Sequence, residues 1–148
     1  MKFKKAFLFF LLGTMAIIAW VGFRAYTRTN PDLGKVKADF TVSAESLIAA
    51  FEKNDSSANK QFMGKTIEVS GVLKKISKDD AGDYSLAIGD SSSMAAVRCS
   101  VDSNHRADAA LLRENTSVTV RGSCTGFNRD ELGLGSEVIL NRCVIIKK

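Results

Sequence analysis

Residues 66–77 read TIEVSGVLKKIS, and this stretch decides the fold of the chain. Ile67 and Val69 alternate with polar residues, which is the period of a strand with one buried face. Gly71 lies in the middle of the run, where a missing side chain allows a strand to bend sharply. A strand bent at its centre can pair with one neighbour through its first half and with another through its second half. The stretch therefore predicts the first strand of a small closed barrel.

Four further strands and a short helix are predicted downstream of this stretch. The strands are Tyr84–Ile88, Met94–Val101, Ser117–Cys124 and Glu137–Ile146, and the helix is Asn104–Glu114. Five strands with a helix between the third and the fourth are typical of the OB-fold, a Greek-key barrel. A sandwich would need more strands, and an α/β fold would need longer crossover helices.

One or two short helices are predicted before the barrel. Ser43 is a helix-capping residue. Four apolar residues follow it with the spacing of one helix face: Ala44, Leu47, Ile48 and Phe51. Residues 56–62 predict a second short helix, which Gly64 ends. The fold class is therefore mainly β, a five-stranded OB-fold barrel preceded by short helices.

The N-terminus predicts a transmembrane anchor. Ala6–Phe23 is an apolar run of 18 residues, and as a helix it would span roughly 27 Å, close to the hydrocarbon thickness of a bilayer. Three lysines lie in the flank MKFKK before it, and Arg24 and Arg28 lie after it. This bias keeps the N-terminus in the cytoplasm. The predicted location is the cytoplasmic membrane, single-pass, with the following domain on the outer, periplasmic side.

A cleaved signal peptide is the alternative for the same segment. It needs a shorter apolar core and small residues before the cleavage site. The available site follows Ala19, and the residues beyond it, such as Trp20 and Phe23, remain apolar. An uncleaved signal-anchor fits the residues better, and both interpretations export the domain.

The positive charge of the chain belongs to this N-terminal segment. The chain has 21 Lys and Arg and 16 Asp and Glu, and five of the bases precede Thr29, so 21 − 5 = 16 bases face 16 acids from there onward. A neutral domain argues against nucleic-acid binding. The predicted divisions are a stub and anchor at residues 1–28, a linker containing the only proline at residues 29–38, and the OB-fold domain at residues 39–148.

Several motifs of this domain resemble a known family. They are SAESLIAAFEKN (43–54) followed by Ala58, GKTIEVSGVL (64–73), VRCSV (97–101), VTVRGSCTGF (118–127) and VILNRCVI (138–145). Together they resemble the tRNA-anticodon-binding-like OB-fold family of small exported bacterial proteins. The resemblance covers Val42–Ile146. It implies an OB-fold in an exported protein, and it implies no particular activity, because that family has no established one.

Five residues form the candidate ligand face of the predicted barrel. Beyond Met63 the aromatic residues are Tyr84 and Phe127, and the arginines with them are Arg98, Arg121 and Arg129. Nucleic-acid binding on such a barrel needs a basic groove and aromatic side chains on which bases stack. Two aromatics are few, and neighbouring acids balance the arginines, so nucleic acid is disfavoured as the ligand.

The residues predict neither catalysis nor a metal or cofactor site. His105 is the only histidine, and we expect a surface turn residue there, without a nucleophile or an orienting carboxylate beside it. Asp79, Asp80 and Asp83 cluster at a predicted hairpin but lack the alternating ligand pattern of a calcium loop. Motifs for phosphate binding or for a nucleophile elbow are absent from the sequence.

The three cysteines, Cys99, Cys124 and Cys143, lie on predicted strands among apolar neighbours. Buried free thiols act as small hydrophobes, whereas an oxidising compartment favours disulfides. Strand order places the fifth barrel strand beside the third, so Cys99 and Cys143 are the predicted disulfide pair. Leu140 and Cys143 differ in parity, so both face inward only if a bulge occurs near Asn141–Arg142.

Together these features predict a membrane-anchored, exported OB-fold domain that binds a ligand and has no catalytic role. The expected ligand is an envelope protein or an oligosaccharide. Single-stranded nucleic acid is the alternative by analogy of fold, and the scarcity of base-stacking aromatics argues against it. An enzyme with an unfamiliar site is a second alternative, and the missing acid–base group argues against that.

Overall fold

The computed structural model describes residues 13–15, 17–23, 31–129 and 135–147. The chain divides into two compact units, Met1–Pro31 and Asp32–Lys148. In the first unit, residues 13–15 and 17–23 are helical, and among the described residues no helix combines the length and the apolar character that a bilayer crossing requires. Part of the predicted anchor at Ala6–Phe23, and all of the flank before it, lies outside the described residues.

The second unit holds six strands and three short α-helices in its described part. In chain order these are β1 (Phe40–Ser43), α1 (Ala44–Lys53), α2 (Asp55–Phe62), β2 (Thr66–Lys78), β3 (Tyr84–Ile88), β4 (Ala96–Val101), a 3₁₀ turn (Ser103–His105), α3 (Arg106–Ala109), β5 (Ser117–Asn128) and β6 (Glu137–Ile145). Ser43 caps α1 by accepting a hydrogen bond from the Ser46 amide, as the sequence predicts. Asn54 caps α2 in the same way, through the Ser57 amide.

Strands β2 to β6 close into a five-stranded barrel. The strand order is β1-β2-β3-β4-β6-β5, and an additional β2–β5 pairing closes the barrel. β4 and β6 are parallel, and the other barrel pairs are antiparallel. A helix between the third and fourth barrel strands completes the predicted order, so the mainly β barrel is confirmed. β1 is an addition that the sequence did not predict, because it pairs in parallel with β2 outside the barrel.

β2 is the bent strand that the sequence predicts. Its first part, Thr66–Val72, pairs with β5, and its second part, Leu73–Lys78, pairs with β3. A Cβ atom on Gly71 would lie 2.8 Å from Ile88 Cγ2 and 3.1 Å from Ala44 Cβ. Glycine is therefore needed at the bend, because β3 and α1 both approach the strand there.

The two helices pack against the apolar core of the barrel. Leu47 and Phe51 of α1 are fully buried. The Phe51 ring centroid lies 6.0 Å from that of Phe62 in α2 and 5.0 Å from that of Phe127 in β5. The apolar face predicted from helix spacing is thus the face that α1 buries.

The helix predicted at Asn104–Glu114 is wrong in length. A 3₁₀ turn and the four-residue α3 replace it, and the chain turns beyond Ala109. Asn115 adopts a left-handed φ of 62°. The Glu114 carboxylate accepts a hydrogen bond from the Ile76 amide of β2 at 2.9 Å. Glu114 therefore serves the neighbouring strand and does not continue the helix.

Seven of the ten residues of the predicted linker, residues 32–38, belong to the compact unit. Residues 32–36, here called the strap, lie against the barrel, and Leu33 is 5% exposed. Arg121 Nη1 donates to the carbonyl oxygen of Val36 at 2.6 Å and to those of Leu33 and Gly34 at 3.3 Å. The predicted linker at residues 29–38 is therefore folded from Asp32 onward.

Candidate functional site

A row of three serines crosses the outer surface of β2, β3 and β4. Ser77 lies opposite Ser85, and Ser85 lies opposite Ser100. Their neighbours along the strands, Leu86 and Cys99, are fully buried, so the serines face outward. Ser77 and Ser100 are exposed, and Ser85 is half-buried. We call these three residues the serine row.

The serine row lines a cleft at the turn end of the β2–β3 hairpin. The cleft has a volume of about 380 Å³. Its lining residues are Ser77, Lys78, Asp79, Asp83, Tyr84, Ser85, Ser100 and Val101. Each hydroxyl can both donate and accept a hydrogen bond, and adjacent strands set the hydroxyl-bearing residues about 5 Å apart.

Contacts around the hairpin hold the cleft in shape. Lys78 Nζ lies 5.4 Å from the centroid of the Tyr84 ring, a cation–π distance. The Asp83 amide donates to Asp79 Oδ1 at 2.7 Å across the turn. Arg106 of α3 donates from Nε to Asp83 Oδ1 at 2.8 Å, so the turn is fixed to α3.

The structure places the five residues of the predicted ligand face in different surroundings. Tyr84 lines the cleft beside the serine row. Arg98 faces outward on β4 and donates from Nε to Glu137 Oε2 at 3.1 Å. The other three residues lie on or beyond β5, where each has a partner of its own.

Arg121 is a β5 residue that binds the strap. Its Nη2 lies 2.7 Å from Glu68 Oε2, and both side chains are 16% exposed. Its Nε donates to the same oxygen at 3.3 Å, and its Nη1 donates to the strap carbonyls. The Arg121 guanidinium group is therefore occupied by contacts within the domain.

Phe127 and Arg129 lie beside the first two helices. The Phe127 ring stacks on Phe51 with an interplanar angle of 25°. Arg129 lies over Phe127, with 6.0 Å from its guanidinium carbon to the ring centroid, and its Nη2 is 3.5 Å from Asp55 Oδ2. Phe127 is thus packed against the core, and Arg129 is paired with an acid.

His105 lies between two carboxylates. Its Nε2 is 3.1 Å from Asp32 Oδ1 in the strap, and its Nδ1 is 3.4 Å from Asp108 Oδ2 in α3. The expectation that no carboxylate orients His105 is therefore wrong. Asp108 could have been predicted as a partner of His105, because the two residues have the i, i+3 spacing of a helix. Asp32 could not, because it is 73 residues away in sequence.

The two carboxylates are held in their charged form. A hydrogen bond from the Gly34 amide is the largest factor that lowers the pKa of Asp32, and His105 also lowers it. The Lys147 ammonium is the largest factor that lowers the pKa of Asp108, again with His105. Both ring nitrogens of His105 face these carboxylates, so the histidine links the strap to α3.

Cys99, Cys124 and Cys143 are free thiols, and all three are fully buried. Burial raises the pKa of Cys143 well above its ordinary value, and a hydrogen bond with the Cys99 thiol adds to the shift. Burial also raises the pKa of Cys124. Cys99 and Cys143 are therefore in contact, as the strand order predicts, and the bridge between them stays a prediction.

The predicted bulge in the last strand is present beside Arg142. Arg142 has a left-handed φ of 57°. The register of β4 against β6 shifts between Cys99 and Val101. Leu140 and Cys143 are consequently both fully buried, although their parity in an unbroken strand would differ.

The acidic hairpin residues do not form a metal centre with their neighbours. Asp79 holds the hairpin turn and Asp83 binds Arg106. Within the described ranges, His, Cys, Asp and Glu residues come together nowhere in a group of three suited to a metal ion.

The serine row was missed by reasoning from the sequence. Ser77 and Ser85 are symmetric about the turn at residues 79–83, so a hairpin register could have paired them. Ser100 follows only when the β3–β4 register is known. The pairing of Ser77 with Ser85 was therefore predictable from the hairpin, and that of Ser100 was not.

Comparisons place these observations among known proteins. The tRNA_anti-like family model matches residues 1–144. No curated protein matches the sequence. The structure is similar to a candidate nucleic acid-binding lipoprotein from Klebsiella pneumoniae, with a TM-score of 0.55 and 19% identity over 72% of this chain and 91% of that one. At this identity the likeness shows a shared fold.

Two other solved structures are similar at lower TM-scores. An OBody bound to hen egg-white lysozyme has a TM-score of 0.45 and 16% identity over 60% of this chain and 87% of that one. Aspartyl-tRNA synthetase from Entamoeba histolytica has a TM-score of 0.47 and 11% identity over 81% of this chain. The match covers 23% of the synthetase.

Proposed function

Because the chain belongs to the tRNA_anti-like family, we propose that it is a binding protein that takes an oligosaccharide on the outer surface of its barrel. We also propose that it is exported, anchored in the cytoplasmic membrane by its N-terminal segment, and not catalytic. The observation that carries the proposal is the serine row with its adjoining cleft.

The chemistry of the cleft suits a sugar chain. Three hydroxyls lie side by side on adjacent strands, and each can exchange donor and acceptor roles with a sugar hydroxyl. Tyr84 adds apolar surface, and Asp79 and Asp83 add carboxylate acceptors. In OB-folds the face of the second and third barrel strands, with the adjoining loops, binds oligosaccharides and oligonucleotides.

Export and anchoring rest on the N-terminal residues. The apolar run Ala6–Phe23 has the length of a membrane span, and the lysines before it favour a cytoplasmic N-terminus. A domain on the outer side of the membrane would meet envelope polysaccharides there. The proposed ligand and the proposed location therefore support each other.

A binding role without catalysis agrees with the titratable groups of the described residues. Both ring nitrogens of His105 face carboxylates. The thiols of Cys99, Cys124 and Cys143 are buried away from solvent. General-base and nucleophilic chemistry would need such groups to be accessible to a substrate.

Single-stranded nucleic acid is the second candidate ligand. It is favoured by the name of the Klebsiella pneumoniae protein, which describes that protein as a candidate nucleic acid-binding lipoprotein. Against it, Arg98, Arg121 and Arg129 each have a carboxylate partner. Their charges are therefore already balanced within the domain.

The test is a titration of isotope-labelled residues 32–148 with oligosaccharides released from the bacterial envelope. We expect NMR shift changes at Ser77, Ser85 and Ser100, lost in Ser100→Leu, which fills the cleft. Ser117→Leu, on exposed β5 surface, is the matched control and should still bind. The proposed ligand would be wrong if the wild type does not respond to sugars. If the wild type then captures an envelope protein that Ser100→Leu does not capture, the ligand of the cleft is a protein.

A separate experiment tests export. Protease added outside the cytoplasmic membrane should degrade the domain in intact spheroplasts, and a cytoplasmic protein should survive as the control. Mass spectrometry should find Trp20 still joined to the residues before it. A domain protected from protease would contradict export, and a mature N-terminus at Trp20 would contradict anchoring.

A further inference from the structure

Two unusual local features bring the Cys143 sulfur to its place in the barrel. Arg142 adopts a φ of 57°, in the left-handed region that disfavours residues with a side chain. This bulge turns Cys143 toward the core. On the facing strand, a Cβ atom at Gly122 would lie 2.5 Å from Cys143 Sγ. The sulfur thus occupies the space that a side chain at position 122 would fill.

Cys99 lies on β4, the other strand that neighbours β6. β4 and β6 are parallel neighbours, with Cys99 opposite Leu140 and Val101 opposite Cys143. The Cys143 thiol donates to the Leu140 carbonyl oxygen at 3.5 Å, and Cys99 is the side chain that adds to its raised pKa. Both cysteines are fully buried. We infer that Cys99 and Cys143 form a disulfide bond when the chain folds under oxidising conditions, and that this bond is a buried clip between β4 and β6.

The strand order excludes a bond between Cys99 and Cys124. These two residues both lie opposite Leu140, on the two sides of β6, so two strand spacings of about 5 Å separate them. A disulfide needs Cα atoms closer than about 7 Å.

The bond forms by thiol–disulfide exchange. One of the two cysteines attacks the disulfide of an oxidant as a thiolate and gives a mixed disulfide, and the second cysteine then attacks that bond. Two S–H bonds and the oxidant's S–S bond are broken, and one protein S–S bond and two oxidant thiols are formed. The cysteines lose two electrons, which the oxidant gains. The oxidant is a small disulfide such as oxidised glutathione, or in the cell an exported protein dithiol–disulfide.

The closed barrel sets the order of events. Both sulfurs are buried, so the folded reduced chain offers neither of them to an oxidant in solution. The exchange therefore takes place before the barrel closes. Once the barrel has closed, the same burial protects the bond from reductants.

The experiment uses the full chain in detergent, denatured, reduced and refolded with oxidised glutathione. Maleimide labelling after a second denaturation counts the remaining thiols. We expect one thiol in place of three, with peptide mapping joining Cys99 to Cys143. Cys124→Ser should leave no thiol, whereas Cys99→Ser and Cys143→Ser should each retain two. Three thiols in the refolded wild type, or a map joining Cys124 to either partner, would overturn the inference.

Two further measurements test whether the bond forms only during folding and whether it forms in the cell, where it depends on the proposed export. Oxidised glutathione added to the folded reduced chain should leave three thiols, because the sulfurs are buried; loss of two without unfolding would contradict a bond closed during folding. In cells the inference rests on the proposed export, so the chain is trapped with a thiol-blocking reagent at lysis. A bond that forms on refolding but is absent from the cell-derived chain would contradict export and leave the clip standing.

Discussion

At Gly122 a single added methyl group has no room. Its carbon would lie 2.5 Å from Cys143 Sγ and 3.2 Å from Leu140 Cβ. We expect Gly122→Ala to lower the free energy of unfolding by about 1–3 kcal/mol, the usual cost of overpacking a core. Urea denaturation of the reduced chain measures this loss.

The same strand supplies the control for this prediction. A Cβ atom at Gly126 would meet Ile139 Cδ1 at 3.6 Å, an ordinary contact. Gly126→Ala should therefore change stability little. Cys143→Ala removes the sulfur, so the cost of Gly122→Ala should fall in that background. A cost that stays the same there would show that the clash is not with the thiol.

Residue patterns predicted the cysteine contact and predicted that acids balance the arginines, but not which acid pairs with which arginine. The contact between Cys99 and Cys143 follows from strand order, and the bulge beside Arg142 follows from the parity of Leu140 and Cys143. By contrast, Arg98 is 39 residues from its partner Glu137. Side-chain pairs between strands this distant depend on register, which alternation does not specify.

At the scale of elements, Arg121 holds the strap to the barrel. We expect Arg121→Lys to lower the free energy of unfolding by about 1–3 kcal/mol, because a lysine cannot reach Glu68 and the strap carbonyls together. Trypsin should also cleave faster at Lys35 and Lys37, which are exposed residues in and beside the strap. Urea denaturation and timed proteolysis of residues 32–148 measure the two effects.

Arg98→Lys is the matched control for the strap. Arg98 also pairs with a glutamate, but its side chain is 49% exposed, and exposed ion pairs contribute about 0–1 kcal/mol. Its replacement should leave the cleavage rate at the strap unchanged. Equal losses in the two variants would mean that Arg121 acts as an ordinary surface ion pair.

Acid should loosen the strap through Asp32. Its pKa is lowered in the folded chain, first by the Gly34 amide and also by His105. As the pH falls, the unfolded chain takes up this proton first, so the stabilisation present above about pH 4 is lost below it. We expect the urea midpoint to fall in that range, and Asp32→Asn to reduce the fall.

Asp80→Asn is the control for the acid response, because Asp80 is an exposed residue of the β2–β3 turn. This variant should keep the wild-type dependence on pH. If the urea midpoint of Asp32→Asn follows that of the wild type over the whole acid range, Asp32 does not cause the acid response.

Elements with a strong local signal were predictable, and those fixed by distant contacts were not. Gly71 and the alternation around it predicted the bent strand β2, and helix spacing predicted α1. β1 was missed because its four residues gain a strand partner only through parallel pairing with β2. The helix after β4 was predicted too long, because Glu114 binds the backbone of β2.

For the whole molecule, the serine row shows why the candidate site was only partly predictable. Residue type favours arginines and aromatics as ligand-binding residues, but several of these make contacts within the folded domain. Phe127 stacks on Phe51, and Arg121 binds the strap. The row itself is made of serines, which carry no functional signal until three strands align them.

The charge balance of the folded domain predicts weak, nearly salt-independent contact with nucleic acid. From Thr29 onward the chain has 16 bases and 16 acids, and the ion pairs include those of Arg98, Arg121 and Arg129. A domain that neutralises few phosphates releases few counterions, so its affinity should change little with salt. We expect no complex of residues 32–148 with single-stranded DNA or RNA tighter than about 10⁻⁶ M at physiological salt, measured by fluorescence anisotropy. Submicromolar binding that weakens steeply with salt would contradict this expectation. If that binding is also lost in Arg98→Ala but retained in Arg113→Ala, the outer surface of β4 is a nucleic-acid site, and the oligosaccharide proposal is wrong.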